Sequence, residues 1–279
     1  MTPTLYVIAT PIGNLRDITL RAIDVLKSVD LIAAEDTRHS RLLLDHYGIT
    51  THMTSLHGDN EEAKTAALLK ELQAGKSLAL ISDAGTPLIS DPGDYLIKQL
   101  RFEGIAVIPI PGPCALITAL SVSGLSTKRF RFEGFLPHKG SARRDTLDAL
   151  KYDMATLIFY EARHRIIDFL ALAADIFGAD RRAVIARELT KHYETVHADT
   201  LAALHEWITS DSDQQKGEYV VLIEGAPFAP QSAINSDKVL RVLTQYLPTK
   251  QAAKAAADIT GESQRDLYQQ LLTLKNSDE

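Results

Sequence analysis

The apolar run ending at Leu80 and Ile81 opens into Ser82-Asp83-Ala84-Gly85-Thr86-Pro87-Leu88-Ile89-Ser90-Asp91-Pro92-Gly93. Two carboxylates, two prolines and small residues at the end of a buried-strand pattern stand where a parallel sheet exposes a ligand pocket. Ordinary strand-to-helix loops take about 2–6 residues, so this one is long enough to hold something. Glu35-Asp36-Thr37-Arg38-His39 and Arg187-Glu188-Leu189-Thr190-Lys191 also end strand patterns. Carboxylates beside guanidinium groups can orient a hydroxyl and take its proton. The first cluster serves equally well as a helix cap, with Asp36 or Thr37 starting the next helix. If the two sheets meet across a cleft, the clusters face one another.

Several other chemistries lack their marks. The first strand runs into Pro11-Ile12-Gly13-Asn14-Leu15-Arg16-Asp17, with one glycine where a dinucleotide fingerprint needs three, and no Gly-Lys-Ser/Thr phosphate loop follows. His192 and His197 have no acidic partner at metal-ligand spacing, so no metal is expected. No Gly-x-Ser-x-Gly elbow marks a hydrolase, and the lone cysteine, Cys114, has no base beside it and suits the lining of a pocket.

The elements that must position these groups follow from periodicity. Strands are predicted at Leu5–Thr10, Leu31–Ala34, His52–Leu56, Leu78–Ser82 and Ala106–Ile110, separated by amphipathic stretches such as Thr19–Ser28 and Asn60–Ala74. Asp59 or Asn60 can cap the latter and Gly75 ends it. Pro113 suits the first position of a helix over Cys114–Val122. Alternation of this kind gives right-handed crossovers and a parallel sheet covered on both faces. The rhythm resets near Gly124–Lys128, dividing 1–124 from a second α/β domain at 125–226. There Phe130–Phe135, Thr156–Tyr160, Ala183–Ala186 and Tyr219–Ile223 read as strands, and Ile166–Phe177 and Thr200–Thr209 as helices. A Pro/Ala linker at Ala226–Pro230 leads to a helical appendage, 231–279, with a helix-turn-helix pattern that serves packing as well as nucleic-acid reading.

The chain has 279 residues, 45% hydrophobic and 24% charged, the composition of a soluble globular protein with room for two domains. It shows no stretch of about 20 apolar residues and no signal-peptide pattern, and the expected compartment is the cytoplasm, without membrane contact. A net charge of −6 argues against a uniformly basic nucleic-acid coat, but local patches remain at Lys128-Arg129-Phe130-Arg131, at Lys139 with Arg143 and Arg144, and at Arg163-His164-Arg165. Each patch serves equally as a solvated face. Phe130, Phe132 and Tyr193 offer rings for base stacking, with strand and core roles favoured.

Five segments in order carry a resemblance over nearly the whole chain. They are Thr10-Pro11-Ile12-Gly13-Asn14-Leu15, Ala34-Glu35-Asp36-Thr37-Arg38, Ser82-Asp83-Ala84-Gly85-Thr86-Pro87, Phe132-Glu133-Gly134-Phe135-Leu136-Pro137 and Ala186-Arg187-Glu188-Leu189-Thr190-Lys191. Together they resemble the tetrapyrrole-methylase, or class III, group of S-adenosylmethionine-dependent enzymes, in its branch that modifies small-subunit ribosomal RNA. The resemblance implies two α/β domains with the cofactor, S-adenosyl-L-methionine, in the cleft between them, and a homodimer. It implies methyl transfer to a ribose 2′-hydroxyl of a cytidine in the decoding region of 16S ribosomal RNA, with the small ribosomal subunit as partner.

Residue by residue, the resemblance places Pro11, Asp83, Gly85, Thr86, Ile89, Cys114, Ala115, Tyr160, Leu189 and Gly217 at the cofactor. Thr86 stands where the group carries Asp, so contacts there are expected through backbone. Pro111-Gly112-Pro113-Cys114-Ala115 matches a Pro-Gly turn beside the cofactor, and Tyr160-Glu161 the strand end lining the cleft. A ribose hydroxyl is a weak nucleophile at neutral pH, so Glu35, Asp36 and Glu188 are candidate bases, and Arg38 and Arg187 candidates to orient phosphate or ribose. A small-molecule, tetrapyrrole-like methyltransferase of the same fold is the alternative. A binding module without catalysis is a second.

Overall fold

The computed structural model describes residues 3–227 and 236–277. The expected linker at 226–230 thus lies outside the described residues from 228 onward, as do residues 231–235 and 278–279 of the expected appendage. One compact unit comprises Met1–Lys151 and Ala155–Gly225, the other Tyr152–Met154 and Ala226–Glu279.

In the first half of the large unit, strands and helices alternate: β1 (Thr4–Ile8), α1 (Leu20–Ser28), β2 (Leu31–Ala34), α2 (Thr37–His46), β3 (Met53–Ser55), α3 (Glu61–Gln73), β4 (Ser77–Ile81), α4 (Asp94–Phe102), β5 (Ala106–Ile110) and α5 (Ala115–Val122). The five strands are parallel, in the order β3-β2-β4-β1-β5. Period-two alternation sends Ala79 and Ile81 to one core with Ile8, Leu26 and Leu44, and Leu78 and Leu80 to another with Leu5, Leu72 and Leu100. Each large side chain so buried contributes about 1.5–3 kcal/mol. Because β1 leads toward β2 while β4 crosses over β1 to β5, the connections reverse beside β1, and the carboxyl ends there open a crevice.

Two local expectations differ from the structure. Asn60 occupies the cap position of α3, but its side-chain oxygen accepts from the His57 N–H at 2.9 Å instead of capping the helix. α5 begins at Ala115 with Cys114 at its cap, because Pro113 is held outside the helix: its carbonyl accepts from Thr86 Oγ1 at 3.0 Å.

The second half contains β6 (Phe130–Phe135), α6 (Gly140–Leu150), β7 (Thr156–Ala162), α7 (Ile166–Phe177), β8 (Arg182–Arg187), β9 (Thr195–Thr200), α8 (Leu201–Ser210) and β10 (Glu218–Ile223). Its sheet runs β6-β7-β10-β8-β9, with β6 parallel to β7 and β10 antiparallel to both β7 and β8. The amino end of β10 therefore lies beside the carboxyl ends of β7 and β8. One face packs Leu157, Phe159 and Ile185 against α6, α7 and α8. The other packs Ile158, Val184, Ala186 and Leu222 against Leu116, Ala119 and Leu120 of α5, joining the two sheets through a shared core.

The C-terminal unit holds α9 (Ser236–Leu243), α10 (Thr249–Thr260) and α11 (Gln264–Ser277). Leu240, Leu267 and Leu271 close on Ala252, Ala253 and Ala256 of α10. Gly261, at φ +76°, makes the turn from α10 to α11, a left-handed position glycine takes without strain. Among the described residues no helix is long and apolar enough to cross a membrane.

Candidate functional site

A cavity of about 310 Å³ opens where the carboxyl ends of β2 and β4 meet those of β6, β7 and β8. Its first-half wall is the 83–91 loop, Ile12, Glu35 and the turn at Cys114 and Ala115; its second-half wall includes Phe135, Tyr160, Glu188, Leu189, Lys191 and Val220.

The loops are tied by backbone. Thr10 and Gly85 exchange N–H···O bonds of 2.8 and 3.0 Å, and Thr10 Oγ1 donates to the Ser82 carbonyl at 3.1 Å. The non-glycine residues at positive φ among the described residues are Leu88, Ser90, Glu188 and Thr190. All four belong to the two loops that line the cavity. Left-handed conformations cost about 1–3 kcal/mol each, persist where the surroundings impose them, and gather at ligand clamps and active sites.

Carboxylates dominate the wall. The Asp83 N–H donates to Glu35 Oε2 at 3.3 Å, and the Asp36 N–H donates to Asp83 Oδ1 at 3.0 Å, a reciprocal latch between the ends of β2 and β4. Burial raises Glu35 above its ordinary value against the pull of the Asp83 N–H, and the charges of Asp83 and Asp36 add to the rise. Asp91 is pushed up to about 6, first by burial and then by the charges of Glu35 and Asp83. Burial also pulls Glu188 upward, but the Lys191 ammonium at 2.9 Å and the Glu218 N–H at 3.0 Å outweigh it and hold Glu188 below its ordinary value. Tyr160, its hydroxyl accepting from the Leu116 N–H at 3.2 Å, is raised by burial and stays neutral.

Of the residues singled out from sequence, Glu35, Glu188, Asp83, Gly85, Thr86, Ile89, Cys114, Ala115, Tyr160 and Leu189 line this one cavity. Asp36, Arg38, Arg187, Pro11 and Gly217 do not. The Asp36 carboxylate binds Arg38 at 3.0 Å, which holds its pKa down to about 2, and the Arg38 side chain is 91% exposed. Arg187 is buried with its guanidinium turned to the carbonyls of Lys216, Tyr193 and Asp213, so it braces the loops behind the wall. Pro11 is buried at the start of the first loop. Gly217, at φ +97°, leaves room for Glu188: a Cβ there would meet its side chain at 2.5 Å. Asp91 and Lys191 line the wall without having been singled out as site residues. Asp91's signal was its place as the second carboxylate of the long loop. Among the described residues no group of His, Cys, Asp and Glu is arranged to hold a metal ion.

The first loop closes against the 188–191 loop. The Asn14 N–H donates to Thr190 Oγ1 at 3.0 Å, and a Cβ on Gly13 would meet Lys191 Cγ at 2.5 Å and the Leu189 carbonyl at 3.1 Å. Gly13→Val is expected to push these loops apart at a cost of about 1–3 kcal/mol of stability, which thermal unfolding measures.

The pocket suits a particular kind of small molecule. Ile12, Ile89, Ala115, Leu189 and Val220 offer an apolar bed, and Glu35, Asp83 and Asp91 line the same cavity as negative or titratable groups. Its volume falls at the lower end of the about 300–1,000 Å³ of small-ligand sites. A ligand with both apolar surface and positive charge fits this lining.

Residues 4–205 match the family of Tetrapyrrole (Corrin/Porphyrin) Methylases, and residues 231–275 match the RsmI C-terminal HTH domain. The chain is 53% identical over 272 residues to the ribosomal RNA small subunit methyltransferase I of Pseudomonas aeruginosa, covering 96% of each. It is 52% identical over 271 residues to the protein of that name from Pasteurella multocida, again over 96% of each. Among solved structures it resembles a diphthine synthase with a TM-score of 0.62 at 15% identity, over 79% of this chain and 90% of that one, a likeness of fold.

Proposed function

Since the chain belongs to the tetrapyrrole methylase family, and within it to the ribosomal RNA small subunit methyltransferase I group, we propose that it methylates small-subunit ribosomal RNA from S-adenosyl-L-methionine. The acceptor is a ribose 2′-hydroxyl of a cytidine in the decoding region of 16S RNA, on the small ribosomal subunit, and the enzyme works as a homodimer in the cytoplasm. The single observation that carries the reading is the acidic, apolar-bedded cavity between the two sheets, in a chain of this family.

The cofactor, when bound, supplies an electrophilic methyl group on a positively charged sulfur. Ile12, Ile89, Ala115, Leu189 and Val220 would hold its adenosine, with Gly85 and Thr86 contributing backbone. Glu35 and Asp83 would balance its positive charge. Positioning supplies most of the acceleration in such a transfer, because the hydroxyl oxygen needs only an aligned, close approach. The remaining need is a group to take the hydroxyl proton. A base works best with a pKa near the working pH, and Asp91 at about 6 meets that condition. Glu35 supports it by like charge. Glu188 is held low by Lys191, so it serves as an anchor for that cation rather than as the base.

The test incubates the protein with labelled S-adenosylmethionine and small ribosomal subunits from a strain lacking the enzyme, then maps the label. Label on one cytidine ribose of the decoding region is expected. Label on a base, or on a tetrapyrrole offered in a parallel arm but not on RNA, overturns the reading.

A further inference from the structure

Phe135 sits at the mouth of the cavity with 56% of its surface exposed, an unusual place for a large apolar ring at the end of a strand. Local geometry puts it there. β6 pairs Phe132 with Ile158 and then Gly134 with Phe159, so Glu133 is an extra residue, a β-bulge. In a regular strand Phe132 and Phe135, three apart, would point to opposite faces. The bulge restores Phe135 to the cleft face beside Tyr160, re-aiming a side chain next to a site as bulges often do. Gly134 takes φ +64°, and a Cβ there would lie 2.9 Å from Ser90 Oγ, so β6 passes close against the 83–91 loop.

The ring is also braced. Tyr160 meets Phe135 edge-on at 5.6 Å between centroids and Phe132 at 4.8 Å, and its own hydroxyl is fixed by the Leu116 N–H. Phe135 is thus supported by Tyr160 while more than half of its surface stays exposed. Loops with basic residues leave the ends of β6 and β7. After β6, Lys139 is exposed, and after β7, Arg163 and His164 are exposed. Arg165 ties the loops together, donating from Nη2 to the Leu136 carbonyl at 2.8 Å. Basic residues thus follow the two strand ends that carry Phe135 and Tyr160, while the cavity lining, with Glu35, Asp83 and Asp91, is acidic. That separation suits a cation inside and a polyanion carrying flat rings outside.

We propose that Phe135 is the platform on which a single unstacked pyrimidine of the RNA rests, while Lys139, Arg163 and His164 hold the phosphates on either side. The proposal rests on the reading above and names the residue that positions its acceptor nucleotide. RNA-binding proteins take splayed-out bases on aromatic rings in this way. The sequence candidates for stacking were elsewhere: Phe132 is half-buried in β6 against Tyr160, and neither Phe130 nor Tyr193, though exposed, lines the cavity.

The experiment uses the full chain, saturated with S-adenosylhomocysteine, and a short single-stranded oligoribonucleotide carrying a fluorescent cytidine analogue. Stacking quenches the analogue. Phe135→Ala is expected to abolish the quench and weaken binding by roughly 5- to 150-fold, the range for one stacked base, and Phe135→Trp to keep both. Phe135→Ala should lose more affinity for the oligonucleotide than for the cofactor, and its melting temperature should fall only slightly, since the ring meets Tyr160 but is more than half exposed. In turnover on small subunits its loss should appear in KM for the subunit. Lys139→Gln with Arg163→Gln should make log Kd less steep in log salt by roughly 1–2. The proposal is overturned if the parent neither binds nor quenches the oligonucleotide, if Phe135→Ala behaves as the parent, or if Phe135→Ala loses cofactor affinity instead, which would make the ring part of the cofactor wall. A parent that fails to methylate subunits while its quench depends on Phe135 overturns the functional reading alone.

Discussion

Asp91→Asn is expected to lower kcat by about 10²–10⁴-fold on small-subunit RNA at pH 7.5, while cofactor affinity changes by no more than a few fold. The substitution keeps the shape of the side chain and removes its capacity to take a proton. The parent should show the matching pH profile. A base is active when deprotonated, so kcat/KM should be level above pH 7 and fall about tenfold per unit below pH 6, around the value of about 6 to which burial and the Glu35 and Asp83 charges push Asp91. Glu35→Gln removes one of those charges. Asp91 then ionises more readily, and the acid limb of the profile should move to lower pH. Asp36→Asn supplies the contrast: that carboxylate is paired with Arg38 away from the cavity, and Asn caps a helix as well as Asp, so turnover should hold within about twofold. Equal losses in Asp36→Asn and Asp91→Asn would move the base to the end of β2 and refute the assignment.

How much of this was legible in the sequence depended on whether a signal was local. β2, β5, β6 and α7 have the very boundaries their sequence pattern predicts; β2 and α7 bury the apolar residues that pattern marks, whereas β6 leaves Phe130 and Phe135 exposed. β9 was missed. It is an edge strand, Thr195-Val196-His197-Ala198-Asp199-Thr200, half-exposed along its length, and its partners lie on one side only. The Arg187-Glu188 cluster shows the limit for the site. In β8, Ala183 and Ile185 face the helices while Val184 and Ala186 face α5 and the cleft. Parity then turns Arg187 inward behind the wall and Glu188 onto it, so two neighbours that read as one cluster divide between bracing and lining. Asp91 was harder still. Its raised pKa comes from burial beneath loops and from Glu35, which joins it only through the pairing of β2 with β4.

Arg165→Met is expected to be the most destabilising single change outside the hydrophobic cores, at about 3–5 kcal/mol, which lowers the melting temperature on the order of 10 °C. Glu161, at the end of β7, has a fully buried side chain, and Arg165 Nε lies 3.1 Å from its Oε1. Its other oxygen, Oε2, has no hydrogen-bond partner, so the carboxylate relies on the guanidinium for its charge. Burial already raises the Glu161 pKa, opposed by its own neighbour's N–H and by the charges of Arg165, Arg143 and His164. Removing Arg165 sends it higher. A carboxyl whose folded pKa exceeds its unfolded one favours folding below the unfolded value, and that contribution is lost as pH rises through the folded one. The deficit of Arg165→Met should accordingly be smaller at pH 5 than at pH 8. Adding Glu161→Gln should restore part of the stability at neutral pH, because a neutral amide costs less to bury than an unpaired charge. The part not restored measures the lost clamp on the Leu136 and Pro137 carbonyls, through which Arg165 holds the loop after β6. A double variant no more stable than Arg165→Met, with a deficit indifferent to pH, would assign the whole effect to that clamp and none to the buried charge.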